Sequence, residues 1–154
     1  MASIHDLLIR KELSKYPRNG SFTFKPSEDL KLKCNAPTDC GGVYLIYKIS
    51  TTEKELIYIG SSGQNRDGEI KVRRSGLGGM KDRLVNGYHP KFGRTSRRKT
   101  FPEEMTKTYI DEIEIHWWAT HNDNTNKDFP TEVENKLLEL YKTQNSTNPI
   151  WHKQ

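Results

Sequence analysis

A chain of 154 residues with 25 Lys and Arg against 20 Asp and Glu, and only 32% hydrophobic residues, has the size of one small basic domain. Five Phe, seven Tyr and three Trp exclude a solvated tail, and no apolar run approaches the roughly 18 residues of a membrane span. Residues 1–10 lack the basic-then-apolar order of a signal peptide. Cys34 and Cys40 have no neighbouring Cys or His pair for zinc, so a cytoplasmic protein with reduced thiols is expected.

Residues 3–15, with Ile4, Leu7, Leu8 and Leu13, read as a short amphipathic helix, ended by Pro17 and an Asn19-Gly20 turn. Residues 20–41, punctuated by Pro26, Pro37 and Gly41-Gly42, read as irregular. Two β-branched and aromatic runs follow at 43–49 and 55–59, joined by a polar loop, and predict an antiparallel hairpin. Gly60-Ser61-Ser62-Gly63 ends the second strand, and a Gly-rich basic loop leads to a short helix over about 77–87. Residues 90–108 show no periodicity and carry Arg97-Arg98-Lys99, which predicts a mobile loop. From Tyr109 to Thr120 the residues Ile113, Ile115 and Trp117 alternate with Glu112, Glu114, His116 and Trp118, the pattern of a third strand. Pro130 then opens a helix over about 131–143.

Between Arg66 and Lys99 the chain carries eleven basic residues and three acidic ones, so this segment is net +8 and the remainder net −3. A basic block in an otherwise acidic chain is the footprint of a polyanion, nucleic acid before membrane, because the apolar anchors of an interfacial helix are missing. On the 131–143 helix Val133, Leu137, Leu138, Leu140 and Tyr141 form one stripe, and Glu134 falls about 50° from its centre at 100° per residue. A carboxylate turned toward a core has to be neutralised, paired with a cation or bound to metal. Tyr44 and Tyr58, at the start of one hairpin strand and the end of its partner, come to the same end of the hairpin, where two phenols could face one phosphate or simply pack together.

Gly42-Val43-Tyr44, Tyr58-Ile59-Gly60-Ser61-Ser62, Met80-Lys81-Asp82-Arg83-Leu84 and Glu134-Asn135-Lys136-Leu137-Leu138 resemble, in order and spacing, the motifs of the GIY-YIG nuclease superfamily, over about residues 41–150. The resemblance implies an α+β fold: a small central sheet of three antiparallel strands flanked by helices. Residues 1–40 then form an N-terminal extension, and residues 41–154 a nuclease domain with a basic insertion at 61–108. It also implies metal-dependent hydrolysis of phosphodiester bonds in double-stranded DNA, with one Mg²⁺ or Mn²⁺ per site on Glu134. Arg83 would meet phosphate oxygens, and Tyr58 or Tyr44 would orient or deprotonate the attacking water, which calls for a depressed phenol pKa. Gly60 would let backbone approach the phosphate.

Relatives often carry a His or Tyr four residues after the Arg, where this chain has Gly87, so Tyr88 or His89 could substitute. The family's C-terminal Asn falls on Asn148, with His152 at the apparent signature position. Lys71 is a candidate auxiliary group. Ser61, Arg66, Arg73, Arg74, Lys81, Arg94, Arg97, Arg98 and Lys99 are expected DNA contacts, able to reach phosphates and guanine edges. Glu112 and Glu114 read as a solvent-facing strand face, and His116 and His121 lack metal-ligand spacing. With so little chain after Glu134, a stand-alone site-specific enzyme of restriction type is expected. A homing-type or structure-specific repair nuclease, or a binding module with a decayed site, are the alternatives. Palindromic cutting would need a homodimer, for which Ile4, Leu7 and Leu8 offer apolar side chains, although these more simply pack on the domain's own core.

Overall fold

The computed structural model describes residues 4–121 and 127–153, and the side chains of all of these except 4, 5, 65 and 66. Its centre is an antiparallel sheet of four strands, β1 (Asn19–Phe24), β2 (Gly42–Ile49), β3 (Lys54–Ser62) and β8 (Glu112–Ala119), in the order β1-β8-β2-β3. Two small hairpins, β4 (Gln64–Arg66) with β5 (Glu69–Lys71) and β6 (Tyr88–His89) with β7 (Gly93–Ser96), stand outside it. Five helices complete the described chain: α1 (Ile4–Leu13), α2 (Leu30–Lys33), α3 (Gly79–Val85), α4 (Arg97–Lys107) and α5 (Pro130–Asn145).

Alternation along β2 explains the layering. Val43, Leu45 and Tyr47 pack with Ile9 and Leu13 of α1 and Val133 and Leu137 of α5, while Tyr44 and Ile46 pack with Met80 and Leu84 of α3 and Phe101 and Met105 of α4. A strand covered on both faces reads as a continuous apolar run, as residues 43–47 do. Opposite Ile46 and Tyr47 the register skips Ile57, so β3 carries one extra residue there. This bulge lets adjacent Ile57 and Tyr58 join the same core.

The three expected strands are present, and a fourth joins them. Residues 19–24 pair along β8, from Asn19 opposite Trp118 to Phe24 opposite Ile113. The Asn19-Gly20 pair is therefore not a turn. Gly20 lies under the Trp117 indole, whose Cζ2 would sit 2.7 Å from an added Cβ. Residues 1–40 thus contribute, in their described part, a strand of the main sheet. The second correction concerns 90–108, which is not a loop but hairpin β6–β7 followed by α4. On α1 the core face is Ile9 and Leu13, both 0% exposed, whereas Leu7 and Leu8 are 58% and 38% exposed and do not pack on the domain's core. The Ile4 side chain lies outside the described residues. Among the described residues no helix is long and apolar enough to cross a membrane.

Candidate active site

Tyr44 pairs with Gly60 and Tyr58 with Ile46, so the two phenols share one face at the same end of the hairpin. Their ring centroids are 6.1 Å apart. Gly60 makes this possible for a reason other than the expected approach to phosphate: a Cβ there would lie 2.5 Å from Tyr44 Cζ and 2.6 Å from its hydroxyl oxygen. Gly60→Ala is therefore expected to cost about 2 kcal/mol in urea unfolding and to displace the Tyr44 ring. Wild-type stability in that variant would contradict the packing described here.

Helix α5 turns Val133 and Leu137 into the core and carries Glu134 beside β3 at half-burial. Burial raises the Glu134 carboxyl above its ordinary range, against a hydrogen bond from Ser61 and the charges of Arg83 and Arg97. Arg83, on α3, lies with its guanidinium 5.6 Å from the centre of the Tyr88 ring. Tyr58 is within electrostatic reach of Tyr44, Arg97, Glu134 and Arg83, and its phenol is pushed up, chiefly by burial and then by Tyr44. The depressed phenol expected of a general base is thus not found at Tyr58. A phenol that keeps its proton can still hold and orient a water.

The C-terminal segment folds back onto β3, where the Trp151 N–H donates to the Ile57 carbonyl at 2.8 Å. That return stacks His152 on Tyr58, with centroids 4.4 Å apart, and the Ile59 N–H donates to His152 Nε2 at 3.1 Å. Only a neutral ring offers that lone pair. His89 packs 4.4 Å from Tyr58 on another side and 4.2 Å from Phe92, wholly buried, with Nδ1 accepting from the Lys91 N–H at 3.1 Å.

Burial lowers His89 to about 3 and His152 to about 4, and His116, stacked on Trp118 and bonded to Arg10, also falls to about 4. All three are depressed from an unfolded value of about 6.5, so below that pH the unfolded chain takes up protons that the fold refuses. Stability should be full above pH 6.5 and fall as the pH drops toward 4, with His89 alone contributing a slope of up to about 1.4 kcal/mol per pH unit. Urea midpoints measured between pH 7 and 4 check this, and a flat profile would contradict it.

An open cleft of about 1110 Å³ is lined by Arg83 and by Ser61, the hydrogen-bond partner of Glu134, and among others by Lys71, Arg73, Arg74, Tyr88 and Thr131; Tyr44, Tyr58 and Glu134 do not line it themselves. Of the two aromatic candidates after Arg83, Tyr88 reaches this cleft and His89 is buried behind Tyr58. Of the C-terminal pair, His152 contacts Tyr58, whereas Asn148 Nδ2 donates to the Lys153 carbonyl.

The basic block does not form one surface. Arg97, expected on an exposed gripping loop, is 0% exposed, because α4 opens against the core and turns its guanidinium inward. It cannot meet DNA from the surface. Arg73 Nε is bonded to Asp82, Arg98 pairs with Asp29 at 3.6 Å, and Lys71 pairs with Glu69 at 3.2 Å. Arg74 stays exposed in the cleft wall. Arg94 and Lys99 are exposed and Lys81 is half-buried, and none of the three lines the cleft. The Arg66 side chain lies outside the described residues. Two features escaped the sequence reading: Ser61 as the hydrogen-bond partner of Glu134, and Thr131, one turn before Glu134, in the cleft wall. Thr131 was foreseeable from the helical spacing.

Comparison with protein-family models, with curated proteins and with solved structures gave no match for this chain. A divalent ion therefore has to be weighed on the donor set itself. Among the described residues no three His, Cys, Asp or Glu side chains gather. Glu134 is a single, desolvated carboxylate whose hydrogen-bond partner Ser61 lines the cleft. That set fits a hard ion of the Mg²⁺ kind, which keeps several waters and takes one or two carboxylates with substrate phosphate. It does not fit a zinc-type cage.

Proposed function

We propose that this chain is a metal-dependent endonuclease that hydrolyses phosphodiester bonds in double-stranded DNA, a site-specific enzyme of GIY-YIG type. The observation that carries the reading is the meeting of Tyr44, Tyr58, Arg83 and Glu134, from four different elements, with Arg83 and the Glu134 partner Ser61 in the wall of one basic cleft. The order and spacing of the motifs that bear those residues support it independently.

In this reading Arg83 offers its planar donor fork to the scissile phosphate, and its position against Tyr88 limits how far the guanidinium swings. Arg74, exposed in the cleft wall, steers the flanking backbone. Glu134 would hold one Mg²⁺ or Mn²⁺. When bound, such an ion lowers the pKa of a water and shields charge on the leaving oxygen. Tyr58 keeps its proton and orients the attacking water, and the stacked, neutral His152 fixes its ring. Tyr44 contributes a second hydroxyl from the same hairpin end. Desolvation of Glu134 makes a cation at that carboxylate more favourable than in water.

The reading is tested by duplex binding followed across salt concentrations. Log affinity should fall linearly with log salt, and Arg74→Ala should weaken binding on all sequences and reduce the slope by about one. A protein without salt-dependent affinity for duplex would refute the proposal. Preference for branched over linear DNA would move it to the structure-specific class.

A further inference from the structure

We propose that Arg97 is a positioning residue of this site: its buried guanidinium clamps the Tyr44 hydroxyl to the last turn of α3, the helix that carries Arg83. What the clamp serves rests on the nuclease reading; the clamp itself is a matter of geometry. Arg97 Nη2 donates to the Tyr44 hydroxyl at 2.9 Å, and Nη1 donates to the Arg83 carbonyl. The Arg97 backbone N–H donates to the Gly87 carbonyl at 3.0 Å, so the first residue of α4 is tied to α3 by its side chain and to the chain just beyond α3 by its main chain.

Apolar packing alone does not account for this residue, although its guanidinium lies 5.7 Å from the centre of the Tyr44 ring and 5.8 Å from that of Phe101. Among the described residues no carboxylate lies within salt-bridge distance of Arg97, and its Nε–H has no hydrogen-bond partner. A buried charge without a counter-ion and a buried N–H without an acceptor each cost free energy that an apolar side chain would avoid. Phe101 and Met105, on the same face of α4, show that the helix could have docked with apolar groups alone. The arginine's return is directional. A guanidinium only donates, so the Tyr44 oxygen accepts from it, and the phenol proton is left to be given to another acceptor. A phosphate oxygen or a water in the site is such an acceptor.

The charge also reaches further than its two hydrogen bonds. It opposes the effect of burial on Glu134 and on Tyr58, and it disfavours a proton on His89. Because Arg97 is 0% exposed and does not line the cleft, it acts through Tyr44 and Arg83 and not on the substrate.

Arg97→Lys keeps the charge but cannot span two diverging acceptors, and Arg97→Met removes both. With the full chain and Mg²⁺, both variants should bind duplex within about threefold of wild type and show KM nearly unchanged, while kcat falls by about 10²-fold. Tyr44→Phe, which keeps the ring and needs no refolding of α4, should lose a similar factor, and Tyr44→Phe with Arg97→Lys should lose no more than either alone. Losses that multiply would overturn the clamp. So would a drop in binding with a salt slope reduced by one, which marks a direct phosphate contact, or a lowered melting temperature with wild-type kcat, which marks a purely structural role. A second measurement does not need turnover. With tyrosines labelled at ¹³Cζ and the Tyr44 resonance assigned from Tyr44→Phe, Arg97→Lys should move the Tyr44 resonance. An unmoved resonance overturns the clamp whether or not DNA is cut. A moved resonance in a protein that cuts no DNA upholds the clamp and refutes the nuclease reading.

Discussion

Glu134→Gln is expected to slow DNA cleavage by about 10³-fold or more while duplex binding stays within about threefold of wild type or tightens slightly. The substitution preserves volume and the capacity to accept the Ser61 hydrogen bond. It removes the anionic donor that would hold a divalent ion, and a loss of that size corresponds to about 4 kcal/mol of transition-state stabilisation. Binding survives because the cleft keeps Arg74 and Arg83, and deleting a carboxylate beside phosphate removes a repulsion. Single-turnover cleavage and fluorescence anisotropy on the same duplex separate the two effects. A Glu134→Gln variant that cuts at the wild-type rate would exclude Glu134 from the chemistry.

The largest stability effect is expected at Asp82, a residue that the motif Met80-Lys81-Asp82-Arg83 does not single out. Asp82 is 2% exposed, and its Oδ1 accepts from the Leu77 N–H at 2.9 Å and from Asn86 Nδ2 at 2.8 Å, while Oδ2 accepts from Arg73 Nε. It thereby folds the loop leading into α3, where Gly76, Gly78 and the first helical residue Gly79 have φ of 58°, 80° and 55°, in the left-handed region that favours glycine. Burial alone would raise the Asp82 carboxyl, but the hydrogen bonds from Asn86, Leu77 and Arg73 outweigh it and hold the group below its ordinary value. A depressed carboxyl stabilises the fold above its unfolded pKa of about 3.9, and that contribution is lost as pH falls through the folded value. Asp82→Ala leaves three donors without their acceptor and should cost about 2–4 kcal/mol at pH 7, measured by urea unfolding. Because the loop also carries Arg73 and Arg74 over the cleft, DNA binding should weaken in parallel. A change within about 0.5 kcal/mol of wild type would mean that Asp82 behaves as a surface residue.

The parts of this fold that were legible in the sequence are those where one local signal dominates. Strands β2, β3 and β8 announce themselves by β-branched and aromatic alternation, and α5 by Pro130 at its first turn with the Val133–Leu137 stripe. Strand β1 was hidden because Asn19-Gly20 carries the composition of a turn, whereas Gly20 answers to a tertiary demand, the Trp117 ring across the sheet. Helix α4 was hidden by Pro102 within it and by the run Arg97-Arg98-Lys99 at its start. Its core face, Arg97, Phe101 and Met105 at four-residue spacing, was nonetheless present, masked by the assumption that an arginine belongs outside. The site divides in the same way. Tyr44, Tyr58, Arg83 and Glu134 stand in recognisable motifs, while His152 reaches Tyr58 only because the C-terminal segment returns to β3. No local pattern encodes that return.

The most direct test of the central claim is a time course of supercoiled plasmid with purified protein in Mg²⁺ or Mn²⁺, run beside EDTA, with the ends of any linear product sequenced. The expected result is metal-dependent conversion to nicked and linear DNA, with the ends falling at defined sequences. Intact plasmid across both metals, together with intact linear and branched duplexes, would contradict the assignment of this site to phosphodiester hydrolysis.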